Sequence, residues 1–468
     1  MENKQKILLF TVSRGMLARN LLAGGFYRRI REHFDQIIIL TPAYNDPRFL
    51  GSFSDPKVKF LPLPEPPYTK MDQFLARLNC FLIYNRNTIR LSLYDYVEPP
   101  SMPVFIGKYI KYLILRLFFQ PLSHWVSLRQ WVRHLDNRFC QQGLVTEYLA
   151  VLQKERPGLV FATSLAEDTE AALILAARQL GIHTVAMAKT WDNPSKRYFR
   201  AEADQVLVWS EFMKQQMIRY QDYSADHIQI VGVPQFDFYV DPARRQTRKE
   251  FCDQLGLDPN KRIIFFGSEG KLIPTDREVA EEIYKMSQDG KLATSAQLLI
   301  RPHFSYKGDE LKFQDLSGKP GVVVDTQNKP SAGFRDAWDY SEEQTNRLAN
   351  SLWHADVIIS TCSTLVLDAA SIGKPSILIN FDGKITLPLY RSCRRWYICD
   401  YFAAIFKFGA VPLADTLTDL QEKINKILLD GQQPAVPLYQ LRDFFCDRVD
   451  GRAGERMAEN LISLARLR

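Results

Sequence analysis

With 468 residues the chain is too long for one compact core, and two domains of roughly 200 residues each are expected. Hydrophobic residues make up 46% and charged residues 24%, the balance of an ordinary globular protein, which excludes extensive disorder. A net charge of +7 suits an anionic small molecule, a membrane surface or nucleic acid without choosing among them.

KILLFTV (6–12) predicts a first strand, followed by a turn at Ser13-Arg14-Gly15 and a helix. The opening apolar run is too short for a secretory h-region and lacks a cleavage site. QIIIL (36–40) is the next strand. Residues 62–140 break the pattern: proline-rich PLPEPPYTK leads into an aromatic and basic stretch, read as a helical insertion. From Ser101 to Leu135 there are Lys108, Lys111, Arg116, Arg129 and Arg133 but no Asp or Glu. The alternation resumes with strands at LVFAT (159–163), HTVAM (183–187), DQVLVWS (204–210) and QIVGV (229–233). A charged, proline-containing stretch at 240–250 marks a boundary. A second unit follows, with strands at KRIIFFGS (261–268), AQLLIRPH (296–303), GVVVD (321–325), ADVIIS (355–360) and SILIN (376–380), then terminal helices. Continuous apolar strands alternating with amphipathic helices predict an α/β fold of doubly wound parallel sheets, with domains at 1–240 and 241–435 and helices at 436–468. The seven cysteines, Cys80, Cys140, Cys252, Cys362, Cys393, Cys399 and Cys446, are odd in number and widely spaced, as in a reduced cytoplasmic protein.

Open parallel sheets bind ligands beyond the carboxyl ends of their strands, so the loops after the strands are the candidate sites. STCSTLVLDAASIGKP (360–375) sets Ser363 and Thr364 at a helix start, where free amides and hydroxyls favour a phosphate. Asp368, one turn on, lies on the same face as Thr364 and could accept hydrogen bonds from a ribose. Taken locally, the same stretch reads equally as a capped helix with a solvated acid. Gly267-Ser268-Glu269-Gly270-Lys271 could cradle phosphate or be a plain turn. Arg301-Pro302-His303 ends a strand and aims two cationic-capable side chains at the cleft. On the first domain, Arg14, the acids Glu167, Asp168 and Glu170, and the loop holding Trp191, Asp192 and Asn193 face the same region. A carboxylate there could act as general base, or simply match a helix dipole. No Asp-x-Asp occurs, so a metal-diphosphate clamp is not supported, and no nucleic-acid module is present.

TWDNPSKR, ADQVLVWSEFMKQQM, VGVPQFD, the Arg-Pro-His strand end and STCSTLVLDAASIGKP stand in this order over residues 155–385. The set resembles the GT-B glycosyltransferase superfamily, in particular bacterial surface-carbohydrate transferases and CDP-glycerol glycerophosphotransferase-like enzymes. The resemblance implies two Rossmann-like domains with the terminal helices crossing back onto the first. It places the donor on the second domain, held by Ser268, Gly270, Arg301, His303, Ser363, Thr364 and Asp368. Many relatives carry Glu at the position of Asp368, whose reach to ribose is shorter. The acceptor side implied is Arg14, Trp191, Asp192 and Asn193, with Asp168, Glu167 and His303 as catalytic candidates. No cofactor or metal is expected, and the departing charge falls to the helix start, Arg301 and His303.

The implied activity is metal-independent transfer of a sugar from a nucleotide-sugar to a surface polysaccharide or lipid-linked glycan. Alternatives are a polyol-phosphate transferase using a CDP-alcohol, a non-hydrolysing sugar-nucleotide 2-epimerase, and a membrane-surface scaffold that keeps only the fold. The basic aromatic insertion, with Lys108, Lys111 and Arg116, suits an anionic lipid surface, which would place the protein peripherally on the inner face of the membrane. The insertion could equally be an internal helical pair with snorkelling cations.

Overall fold

The structure, a computed structural model, describes residues 5–65, 69–139, 141–336, 338–430 and 436–466. Cys140, residues 66–68 of the proline-rich segment and the expected boundary at 435 lie outside the described residues. Two all-parallel sheets are present. The first contains β1 (Ile7–Thr11), β2 (Gln36–Thr41), β3 (Val58–Pro62), β4 (Leu159–Ala162), β5 (His183–Met187), β6 (Gln205–Val208) and β7 (Ile228–Ile230), in the order β3-β2-β1-β4-β5-β6-β7. The second contains β8 (Arg262–Gly267), β9 (Ala296–Arg301), β10 (Val322–Val324), β11 (Val357–Ser360), β12 (Ser376–Ile379) and β13 (Leu413–Ala414), in the order β10-β9-β8-β11-β12-β13. This is the expected class of two doubly wound α/β domains.

The central strands are fully buried because helices cover both faces. Leu9 of β1 pairs with Ile38 on one side and Val160 on the other, and Phe265 of β8 sits between Leu299 and Ile358. The sequence does not reveal β3 and β13. β3 is a half-buried edge strand carrying Lys59 and ending in Pro62, and β13 has two residues, so neither shows an apolar run. Between β3 and β4 lie the inserted helices Lys70–Phe81, Arg86–Tyr94, Met102–Phe119 and Val126–Phe139.

Strand order reverses between β1 and β4 in the first sheet and between β8 and β11 in the second. These switch points open crevices at the carboxyl ends of the strands, and the two crevices face one cleft. Two of the features that fix the units to each other are aromatic packing and the C-terminal helix. Phe334 and Tyr340, from the segment before helix Glu342–His354, pack edge-on against Phe49 of the first unit at 5.6 and 5.5 Å. Helix Ala453–Arg466 buries Met457, Leu461 and Ile462 in the core formed around Phe26 and Ile30. Its first amides, of Ala453 and Gly454, donate to Asp237 at 3.0 and 2.7 Å.

Candidate active site between the two sheets

The cleft holds a cavity of about 170 Å³ lined by both units. From the second unit come the loops after β8, β9 and β11, and from the first come Met16, Arg19, Trp191 and Gln235. Of the residues singled out in the sequence, Ser268, Arg301, His303, Ser363, Thr364, Asp368 and Trp191 line this cavity.

The loop after β8 is organised by Asp276. Its carboxylate accepts from Ser268 Oγ at 3.1 Å, the Glu269 amide at 2.7 Å and Thr361 Oγ1 at 3.3 Å. Ser268 Oγ in turn accepts from the Gly270 amide at 3.2 Å and Lys312 Nζ at 3.3 Å. The hydroxyl proton of Ser268 is therefore committed to the loop itself. Gly270 does not line the cavity, which corrects its reading as a phosphate cradle. Its φ is +65°, and a Cβ there would lie 2.0 Å from the ring of Tyr306. The glycine admits a left-handed turn and the close approach of a tyrosine. Gly270→Ala should lower stability by roughly 1–3 kcal/mol through this overpacking. Adding Tyr306→Ala should recover part of the loss in urea unfolding. A double variant no more stable than Gly270→Ala would remove the packing account.

Glu269, in the same turn, lines the cavity. Burial pushes its pKa up to about 8, with Asp276 and Asp309 adding to the rise against a hydrogen bond with Ser363. The shift favours the neutral form near pH 7. Only this burial was invisible in the sequence.

At the end of β9, Arg301 is 9% exposed. Its Nη1 donates to Asp325 at 2.7 Å and its Nη2 to Gln344 Oε1 at 3.1 Å. His303 is held at both ends. Its amide donates to Asp309 at 2.7 Å, and Nδ1 lies 2.7 Å from Ser305 Oγ. Its ring lies beside Tyr306 and Trp338, at 4.9 and 5.9 Å between centroids. Burial pulls its pKa down to about 4, so the imidazole is neutral at pH 7.

After β11 the chain turns through Cys362, whose φ is +41°. Its amide donates to the Tyr397 hydroxyl at 2.7 Å, which donates onward to the Ile379 carbonyl at 2.7 Å. This satisfies a strained turn and gives Cys362 a structural role. Ser363 Oγ accepts from the Leu365 amide at 3.2 Å, whereas the exposed Thr364 side chain caps nothing. Asp368 accepts from the Tyr239 hydroxyl at 2.5 Å, and burial raises its pKa. Tyr239 belongs to the segment joining the two units, so one carboxylate oxygen of Asp368 is already used across the domain boundary.

The first-domain acids do not line the cavity. For Glu167, burial opposes ionisation, but Lys189 at 2.8 Å and Arg14 at 3.3 Å prevail and pull its pKa down to about 2. Asp168 lies 3.7 Å from both Arg197 and Arg200, also outside the cavity. Arg14, Asp192 and Asn193 are likewise outside it. Asp192 pairs with Lys196 and accepts from Thr190 Oγ1 at 2.7 Å, and Asn193 Nδ2 donates to Asp192 at 3.3 Å. Trp191 is 1% exposed and packs edge-on to Tyr401 and Phe445 at 5.0 and 5.2 Å.

The cation the first unit supplies is Arg19, in the π-helical turn Ala18–Leu22. Its guanidinium lies 4.7 Å from the centre of the Trp338 ring, and Trp338 comes from the second unit. Arg19 and Arg301 therefore enter the cavity from opposite domains. Neither Arg19 nor Trp338 carried a local signal beyond its residue type.

The family model for CDP-Glycerol:Poly(glycerophosphate) glycerophosphotransferase matches residues 175–463, well over half of the chain. The protein belongs to this family of transferases. No curated relative matches the chain. Among solved structures it is similar to S. aureus MnaA with UDP, at 11% identity and a TM-score of 0.54 over 99% of this chain and 98% of that one. It is also similar to the UDP-GlcNAc 2-epimerase of Neisseria meningitidis bound to UDP-GlcNAc, at 12% identity and a TM-score of 0.52 over 98% and 100%. A glycosyltransferase from Rickettsia africae aligns at 11% identity and a TM-score of 0.50 over 98% and 99%. At such identities the likeness establishes the two-domain fold and not the reaction.

Proposed function

We propose that this protein moves a polyol phosphate from a CDP-activated alcohol to a hydroxyl of a polyol-phosphate or glycan acceptor. The observation that carries this reading is the family match, which spans the entire second sheet and every second-unit loop that lines the cavity. It moves the polyol-phosphate alternative ahead of sugar transfer from a nucleotide-sugar.

In this reading the acceptor oxygen attacks the phosphorus that bears the alcohol. A new oxygen–phosphorus bond forms, the phosphoanhydride bond breaks, and CMP leaves with the electron pair. Arg19 and Arg301 offset the diphosphate charge from two sides. A protonated Glu269 avoids setting a second anion beside it. The base is His303: with the proton of Nδ1 donated to Ser305 Oγ, Nε2 offers its lone pair to the acceptor hydroxyl. His303 takes this role in place of Glu167 and Asp168, which are ion-paired outside the cavity. Ser363, Thr364 and Asp368 remain the candidates for phosphate and ribose.

Nucleotide release decides between the readings. Incubation with CDP-glycerol and a polyol-phosphate acceptor should release CMP, in an acceptor-dependent manner. Release of UDP from UDP-GlcNAc, with no CMP from CDP-glycerol, would return sugar transfer to first place. The pH dependence follows from the two neutral groups. His303 must be deprotonated, so kcat/KM should fall as pH drops through about 4. Glu269 must be protonated, so kcat/KM should fall as pH rises through about 8. Glu269→Gln should abolish the alkaline fall; an unchanged limb would assign it to another group.

A further inference from the structure

A second cavity, of about 630 Å³, opens where three parts of the chain meet. They are the start of the inserted helix Arg86–Tyr94, helix Glu211–Gln221 of the first unit and helix Asp400–Phe406 of the second. Its size is that of a ligand site, for which about 300–1,000 Å³ is usual. It shares no lining residue with the cavity between the sheets. Phe212 on its wall packs on Phe445 at 4.7 Å, and Phe445 packs on Trp191 of the first cavity at 5.2 Å, so an aromatic layer separates the two. The insertion is braced against this region. Arg116 lies 3.9 Å from the centre of the Tyr84 ring, Lys108 lies 5.1 Å from that of Tyr96, and Phe105 stacks on Tyr390 at 4.7 Å. Arg116 and Lys108 are thus turned onto the protein, which corrects the expectation that they face lipid, whereas Lys111 stays exposed.

Three cations line the second cavity: Arg86, Arg219 and Lys407, all exposed. Among the described residues none of the three makes an ion pair. The one acid of the lining, Asp400, accepts from the Arg86 amide at 3.0 Å, so three cations stand against a single carboxylate that is already engaged. Gln216, in the same lining, is 9% exposed, and its Oε1 has no hydrogen-bond partner. A buried acceptor left unpaired costs stability, and a donor brought by a ligand would remove that cost. Ile89, Ala403 and Ala404 give the walls aliphatic surface. The aromatic rings are already engaged, Tyr84 by Arg116 and Tyr220 by Arg219 at 5.2 Å, so the lining favours an aliphatic ligand over a planar base.

Unpaired cations, aliphatic walls and one buried acceptor match a molecule with spaced negative charges, short carbon segments and hydroxyl donors. We propose that this cavity is a second site that holds a polyol-phosphate chain, retaining the acceptor polymer away from its reacting end. The proposal rests on the polyol-phosphate reading of the reaction given above. Phosphates meet Arg86, Arg219 and Lys407, a polyol hydroxyl donates to Gln216 Oε1, and the polyol carbons lie on Ile89 and Ala403. Retention of this kind raises the local concentration of the chain end without adding a contact in the first cavity.

The test is calorimetry of the full chain with a synthetic glycerol-phosphate oligomer, which needs no turnover. Salt should weaken the binding, because exposed cations are screened. Arg219→Ser with Lys407→Ser should lower the affinity about ten-fold, the loss of two exposed charge contacts. Neither side chain has an ion pair to lose, so the urea midpoint should stay where it is. Gln216→Leu should weaken binding of the oligomer but not of inorganic polyphosphate, which has no hydroxyl. It should also hold or raise the urea midpoint, because it removes an unpaired buried acceptor. In turnover, the KM for the oligomer as acceptor should rise in the double variant by the same factor as its dissociation constant. Oligomer binding that is absent, or unchanged in the double variant, overturns the proposal, and so does a lower urea midpoint for Gln216→Leu. CDP binding lost in the double variant would make the cavity a nucleotide site instead. Vesicles bearing phosphatidylglycerol should not displace the oligomer, and displacement would assign the site to a lipid headgroup. Oligomer binding that the double variant loses, in a protein that releases no CMP, would overturn the transferase reading and leave this site standing.

Discussion

Replacing His303 by alanine should lower CMP release by about 10² to 10⁴-fold, the range for loss of a positioned general base. The position is well isolated for such a test. The backbone at His303 is fixed by the hydrogen bond its amide N–H donates to Asp309, which the substitution retains. The lost ring contacts, to half-buried Tyr306 and to Trp338 at the cavity wall, are not in a core. CDP binding, measured by calorimetry, should therefore persist while turnover collapses. His303→Gln keeps a polar group of similar reach but cannot take the proton, and should be as inactive as the alanine variant. Full turnover in either variant would remove His303 as the base.

Arg301→Ala should have the largest combined effect on stability and binding. The substitution leaves Asp325 buried without its close ion pair, with Arg347 at 3.8 Å and the Gln327 amide at 3.3 Å as its remaining partners. Breaking such a buried pair costs about 3–5 kcal/mol, because the remaining charge has lost its partner. The urea midpoint should fall accordingly, and CDP affinity should fall with it. Arg301→Met combined with Asp325→Leu separates the two roles. It removes both charges, so it should recover most of the stability while CDP binding stays lost. Normal CDP affinity in that double variant would show Arg301 to be structural only.

These two residues were legible because Arg-Pro-His at the end of a buried strand is an unusual ending, and strand ends of parallel sheets face the ligand. Eleven strands were legible for a related reason. A strand buried on both faces must be a continuous apolar run, and β1, β8 and β11 are of that kind. Two of the four edge strands escape: β3 carries Lys59 and ends in Pro62, and β13 has two residues, whereas β7 and β10 keep apolar residues.

The acids illustrate the opposite case. Glu167, Asp168 and Glu170 look alike in sequence, yet the fold assigns them different chemistry. Glu167 is pinned ionised by Lys189 and Arg14, Asp168 faces two arginines, and Glu170 is fully buried, its pKa raised by burial to about 7 beside Ser13 and Ser164. The glycines divide in the same manner. Gly270 reads as a phosphate turn until Tyr306 is found in the space its side chain would need.

The sequence by itself determined the parts that depend on local patterning. These are two α/β units, their strand ends, the helical insertion and the short list of polar loops. Only the tertiary structure decided which members of that list share a cavity. Arg19 meets Trp338, Tyr239 meets Asp368, and Arg116 turns inward onto Tyr84, each through chain segments far apart in sequence. Helical spacing alone divides Met102–Phe119 into two faces, but which face meets protein is set by where Tyr84, Tyr96 and Tyr390 lie. The physical reason is that propensity and periodicity act over a few residues, whereas burial, ion pairing and the pKa shifts they cause depend on neighbours that only folding brings together.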